Sequence, residues 1–154
     1  MSQIASFALI REDALSGLVE AAADTAKAYA AYLRDNAGAS VTFPWSGSVF
    51  VTVLPYLQAE RAIDLMRSEH DDVSAELTHP LGCTHFILTA GHRDEYLDRL
   101  DARRFSQTEL RDYSNSFNAA DDQDVGRPML DGIRALGEVL GQVRDGCVAL
   151  MKIG

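Results

Sequence analysis

Four residues able to ligate a metal or carry a proton or nucleophile fall in one short stretch: His79, Cys83, His85 and His92, separated by four, two and seven positions. A zinc centre needs four deprotonated ligands in a tetrahedron, normally supplied by paired, closely spaced motifs. His79-Pro80-Leu81-Gly82-Cys83 is not such a pair, and Cys83 and His85 on one strand face supply at most two ligands. The sequence therefore assigns no metal site. A cysteine nucleophile is disfavoured too. Thiols are activated at helix N-termini or beside a cation, whereas Cys83 precedes a strand.

His92 is placed differently. It falls in the first turn of a helix, where the positive end of the dipole and unpaired N–H groups attract anions. With Thr89 and Arg93 it could form a small anion site at the end of the strand that carries His85. Trp45 and Tyr56, with Phe43 grouped around Pro44 and Pro55, could supply an apolar wall. Each feature has a plainer reading: a capped helix start, a core histidine, aromatic core packing. His85, Thr89, His92, Arg93, Trp45 and Tyr56 are thus the candidate ligand-binding residues. No catalytic residue and no cofactor is assigned, because no Gly-rich phosphate loop and no serine elbow occurs.

These side chains must be positioned by the surrounding elements. Ile4 to Ile10 and Cys147 to Ile153 are apolar on both faces, as interior strands are, which predicts that the first and last strands pair centrally in one sheet. Thr84 to Thr89 reads as a further strand. One long helix is expected from Glu12 to Asn36, with Leu15, Leu18, Val19, Ala22, Ala26, Tyr29 and Leu33 at helical spacing and Asn36-Ala37-Gly38 as its left-handed cap. Val41 to Trp45 reads as extended. Ser48 to Leu57 fits a helix with Pro55 inside, although Val-Phe-Val-Thr-Val is also rich in strand formers. Further helices are expected over Glu69–Leu77 with Ser68 as cap, over His92–Leu100, from Ser106 to Phe117, and from Pro128 to Val143. At Ser106 the pattern is sharpest: Glu109 completes a capping box and Phe105 staples onto Leu110. The segment from Asn118 to Gly126 is a polar loop. Its Asp121-Asp122-Gln123-Asp124 run lacks the sixth-position glycine and closing glutamate of a calcium loop. The expected fold is one α+β or α/β domain spanning 1–154, a small central sheet packed by five to six helices.

At 154 residues and 47% hydrophobic content the chain can hold a core without disulfides or metals. Cys83 and Cys147 match no disulfide framework, and the N-terminus lacks the basic and long apolar regions of a secretion signal, so a reduced, cytoplasmic setting is expected. No apolar run approaches the roughly 20 residues of a membrane span. Fourteen basic against 23 acidic residues give a net charge of −9, which disfavours nucleic acid and suits a basic protein partner.

The strand Ile4-Ala5-Ser6-Phe7-Ala8-Leu9-Ile10 with its Asp/Glu-led helix, the segment Thr84-His85-Phe86-Ile87-Leu88-Thr89, the helical run from Tyr96-Leu97-Asp98-Arg99-Leu100 to Asn118 and the closing strand together resemble the YfbM-like bacterial family of unknown function. That family has a Leu-His-Phe-Leu-Leu-Thr segment where this chain has its middle strand. The chain departs from it in lacking the Met-Gly start and the Tyr-Pro-Gly turn, and in the region from Ser40 to Leu77. The resemblance implies a small cytoplasmic α/β domain and carries over no catalytic residue. Taken together, the residues lean away from an enzyme and toward a non-catalytic interaction role of the immunity or inhibitor kind. A small-molecule or anion cleft at the end of strand 84–89 is the alternative.

Overall fold

In the computed structural model, which describes residues 3–154, the two strands that read as interior do lie at the centre of the sheet. β1 (Ala5–Arg11) and β4 (Cys147–Ile153) pair antiparallel along their whole length, from Ala5 opposite Ile153 to Arg11 opposite Cys147. β2 (Ala37–Thr42) flanks β1 and β3 (Thr84–Leu88) flanks β4, giving the antiparallel order β2-β1-β4-β3. Seven α-helices cover the two faces among the described residues, making a single α+β domain.

Alternation along the strands divides the core in two. Ala5 and Phe7 of β1 and Ala149, Met151 and Ile153 of β4 join a larger core with α3 (Phe50–Arg61), α6 (Gln107–Asn118) and α7 (Gly126–Gln142). Ile10, Ile87, Val148 and Leu150 point the other way, onto α1 (Leu15–Asp24), α2 (Ala26–Asn36) and α4 (Asp71–Leu81). This is why the strands read as apolar on both faces. Each is sandwiched between two helical layers.

Five local expectations need correction. The helix expected over Glu69–Leu77 with Ser68 as cap runs instead as α4 from Asp71 to Leu81 with His70 at its N-cap. The reason is that the Ser68 hydroxyl accepts from the His70 N–H at 3.0 Å in the turn ahead of the helix and leaves the first-turn N–H groups uncapped. The single helix from Glu12 to Asn36 is split, because Thr25 adopts an extended backbone (φ −149°, ψ 159°) and its hydroxyl caps α2 by accepting from the Ala28 N–H at 2.9 Å. Ala37-Gly38 is not a left-handed cap. Ala37 is extended (φ −125°) and opens β2, whose pairing with β1 satisfies the backbone that a cap would otherwise serve. The helix expected at His92–Leu100 begins two residues earlier, as α5 (Ala90–Tyr96), and continues as a 3-10 turn over Leu97–Arg99. At α6 the Ser106 hydroxyl accepts from the Glu109 N–H, but the Glu109 carboxylate does not return to Ser106, since it accepts the Tyr56 hydroxyl at 2.7 Å. α3 runs through Pro55 with Leu54, Tyr56 and Leu57 buried, so core packing outweighs the hydrogen bond that proline removes.

Cys83 and Cys147 are both free. Cys83 adjoins the Thr84–Ile153 pair at one end of the sheet, whereas Cys147 sits opposite Arg11 at the other, a strand length of about 20 Å away. No described helix is long and apolar enough to cross a membrane.

Candidate functional site

Thr89, His92 and Arg93 come together at the start of α5, and the hydrogen bonds of Thr89 and His92 are directed inward. Thr89 is the N-cap: its hydroxyl accepts from the His92 N–H at 3.2 Å, and His92 Nδ1 accepts from the Thr89 N–H at 3.1 Å. This is a reciprocal capping box in which histidine takes the place of the usual glutamate. Because Nδ1 accepts, Nε2 carries the proton, and it donates to the Arg67 carbonyl at 2.7 Å. Both ring nitrogens are used, and the ring stacks on Tyr96. Arg93 donates to the Val143 carbonyl and to Asp145, each at 2.7 Å, and to Asp94 at 2.9 Å. It clamps α5 to the loop before β4.

His85 lies on the opposite sheet face. The Cys83 carbonyl, 2.7 Å from Nδ1, can only accept, so Nδ1 is protonated and Nε2 takes the Tyr29 hydroxyl hydrogen at 3.1 Å. Burial holds the His85 pKa below the usual 6.5, with nearby Lys152 acting the same way and the Cys83 hydrogen bond opposing them. Burial also pushes the Tyr29 hydroxyl up to about 12. A histidine whose folded pKa lies below its unfolded value binds fewer protons folded than unfolded in the interval between the two. Stability therefore rises with pH across that interval: it is fully present above about 6.5 and is lost as pH falls from there through the folded value. Nitrogen NMR of the imidazoles is expected to show His85 titrating below 6.5 and its neutral ring bearing the proton on Nδ1. A midpoint above 6.5, or a neutral ring protonated on Nε2, would overturn the assignment.

Trp45 and Tyr56 do not join this group. Tyr56 is fully buried on α3, packed edge-on against Phe105 and Tyr113, with its hydroxyl on Glu109. Burial, then that hydrogen bond, raises the pKa of the hydroxyl, while the same bond holds the Glu109 carboxylate below the ordinary range. Trp45 is partly exposed, donates to Asp131 at 2.9 Å, and borders a separate hollow with Thr108, Arg111 and Arg127. Five clefts stand out on the described surface, and none of them is lined by His85, Thr89, His92, Arg93 or Tyr56.

The largest of these clefts, about 550 Å³, lies between α3, the C-terminal half of α6 and loop 119–125. Val51, an exposed apolar residue of α3, Ser114 and Asn118 of α6, and Asp122 of the loop form its walls. Asn118 Nδ2 spans the two helices, donating to Thr52 Oγ1 at 3.1 Å and to the Ser114 carbonyl at 3.0 Å. Asn115 fixes the loop at two points, its Oδ1 accepting from the Asp122 N–H at 2.9 Å and its Nδ2 donating to the Asp122 carbonyl at 3.1 Å. Asp121, Asp122 and Asp124 are exposed, and none forms an ion pair among the described residues. Phe117, on the same stretch of α6, is half exposed and stacks on Tyr113. In the sequence this face showed only as an acidic loop. The apolar neighbours that make it a surface come from α3, more than sixty residues away.

No family model, no curated protein and no solved structure matches the chain.

Proposed function

We propose that this protein is a non-catalytic interaction module, of the immunity or inhibitor kind, that holds a basic partner on the face made by α3, the end of α6 and loop 119–125. The observation that carries this reading is the set of three exposed carboxylates without an ion pair among the described residues, Asp121, Asp122 and Asp124, on a loop whose Asp122 backbone Asn115 holds at the edge of a cleft with exposed Val51 on its wall. Apolar surface next to unpaired charge is the pattern of a recognition patch, in which the charges guide encounter and the apolar contact holds the complex. The net charge of −9 extends the same preference over the whole surface. The buried, reciprocal bonds of Thr89 and His92 support a structural rather than a chemical role for the strand end. A cytoplasmic setting and kinship with the YfbM-like family belong to the same proposal.

Capture from source-cell lysate tests it when the acidic face is varied. Wild type, and a control with Glu20→Gln, Asp24→Asn and Asp35→Asn on α1 and α2, should retain a basic protein at fixed stoichiometry. Asp121→Asn, Asp122→Asn and Asp124→Asn together should lose it at least tenfold. Retention should weaken as salt is raised to about 0.5 M, where the Debye length falls to a few ångströms. Equal loss in the control triple, or retention by the loop triple, would overturn the proposal.

A further inference from the structure

The turn after β1 and the turn before α4 bring Glu12, Glu69 and His70 together at the surface, with one ligand atom from each within 4.8 Å of the others. His70 Nε2 lies 3.7 Å from a Glu69 carboxylate oxygen and 4.0 Å from one of Glu12. Both distances are too long for a hydrogen bond. The nitrogen is nevertheless shut off from solvent and has no hydrogen-bond partner. A buried imidazole nitrogen without a partner is unfavourable unless something binds it.

We propose that Glu12, Glu69 and His70 form a binding site for a first-row divalent cation of the Zn²⁺ class. The donor set sets the class. An imidazole nitrogen suits Zn²⁺ and its neighbours rather than Mg²⁺ or Ca²⁺, which take oxygen ligands throughout, and two carboxylates neutralise the ion's charge. Ligands of a tetrahedral Zn²⁺ bound at ~2.0 Å stand roughly 3.3 Å apart, so small rotations of the two glutamates complete the geometry. Arg11, the one guanidinium among the described residues that line the hollow, is paired with Asp13 at 2.6 Å and leaves the local charge negative.

The backbone at both sides is already fixed. The Glu12 N–H donates to the Gly146 carbonyl at 2.9 Å. The His70 N–H donates to Ser68 Oγ at 3.0 Å, and the Ser68 N–H to Asp71 Oδ1 at 2.9 Å. Only the side chains of Glu12 and Glu69 need to move. An ion there clips the β1 turn to the start of α4, and the open side of the hollow, by Asp13 and Gly146, leaves a coordination position for water or a further ligand.

The test uses the untagged, chelator-treated chain, titrated with ZnCl₂ by calorimetry and with CoCl₂ by visible absorption. One equivalent should bind saturably, and saturating Zn²⁺ at about a hundredfold excess over Kd should raise the Tm by roughly 5–10 °C. Glu12→Gln and His70→Ala should each weaken binding at least tenfold, whereas His79→Ala and Cys83→Ser should leave it unchanged. Glu12→Gln preserves side-chain shape, so its effect is separable from misfolding. Absence of saturable binding, binding indifferent to both substitutions, or binding lost with His79 or Cys83 would each overturn the site.

Discussion

His92→Ala is expected to destabilise the protein by about 3 kcal/mol and to lower its Tm by roughly 6–12 °C. The substitution removes the acceptor for the buried Thr89 N–H and the donor for the Arg67 carbonyl at once. Each buried group left unsatisfied costs about 1–3 kcal/mol. The ring's stacking on Tyr96 is lost as well. Urea denaturation of wild type and variant measures the difference directly. A solvated histidine kept for ligand binding would give a change within about 0.5 kcal/mol, and that result would return the strand end to consideration as a site.

Gly126→Ala is expected to cost about 2–3 kcal/mol, contrary to the helix preference of alanine. Gly126 opens α7 and is buried against the first turn of α6. A Cβ there would fall on the Gln107 carbonyl oxygen and within 3.1 Å of the carbonyl carbon. Both atoms are backbone, so no side chain can rotate away and the two helices must separate. The helical gain of about 1 kcal/mol does not offset this. Because α6 and α7 hold the ends of loop 119–125, the substitution should also weaken partner retention. Gly141→Ala in the same helix has open space around its Cβ and should be neutral or stabilising by up to about 1 kcal/mol. Matching effects at the two glycines would contradict the packing described.

The frame of the fold was legible because it rests on local pattern. Two continuous apolar runs became the central strands β1 and β4, and the Phe105-Ser106…Leu110 signature became the start of α6. Thr25 went unread because an alanine-rich run hid a capping threonine, and the first four residues of β2, ahead of the stretch from Val41 that read as extended, because Ala-Gly-Ala-Ser carries little strand preference until β1 pairs with it. At the strand end, Thr89 and His92 were legible as a helix start. Their use was not, because the Arg67 carbonyl that accepts from the His92 ring arrives from a distant loop, as does the Asp145 carboxylate that holds neighbouring Arg93. Tyr56 read as one wall of a cleft, yet Glu109 claims its hydroxyl from 53 residues away. The meeting of Glu12 with Glu69 and His70 is likewise a product of topology rather than of spacing.

Hydrogen exchange on the complex with the captured basic partner tests the central claim most directly. Binding at the acidic face predicts slowed amide exchange over residues 48–53 and 114–126, with residues 84–96 unchanged. Protection confined to 84–96, with loop 119–125 exchanging as in the free protein, would contradict it.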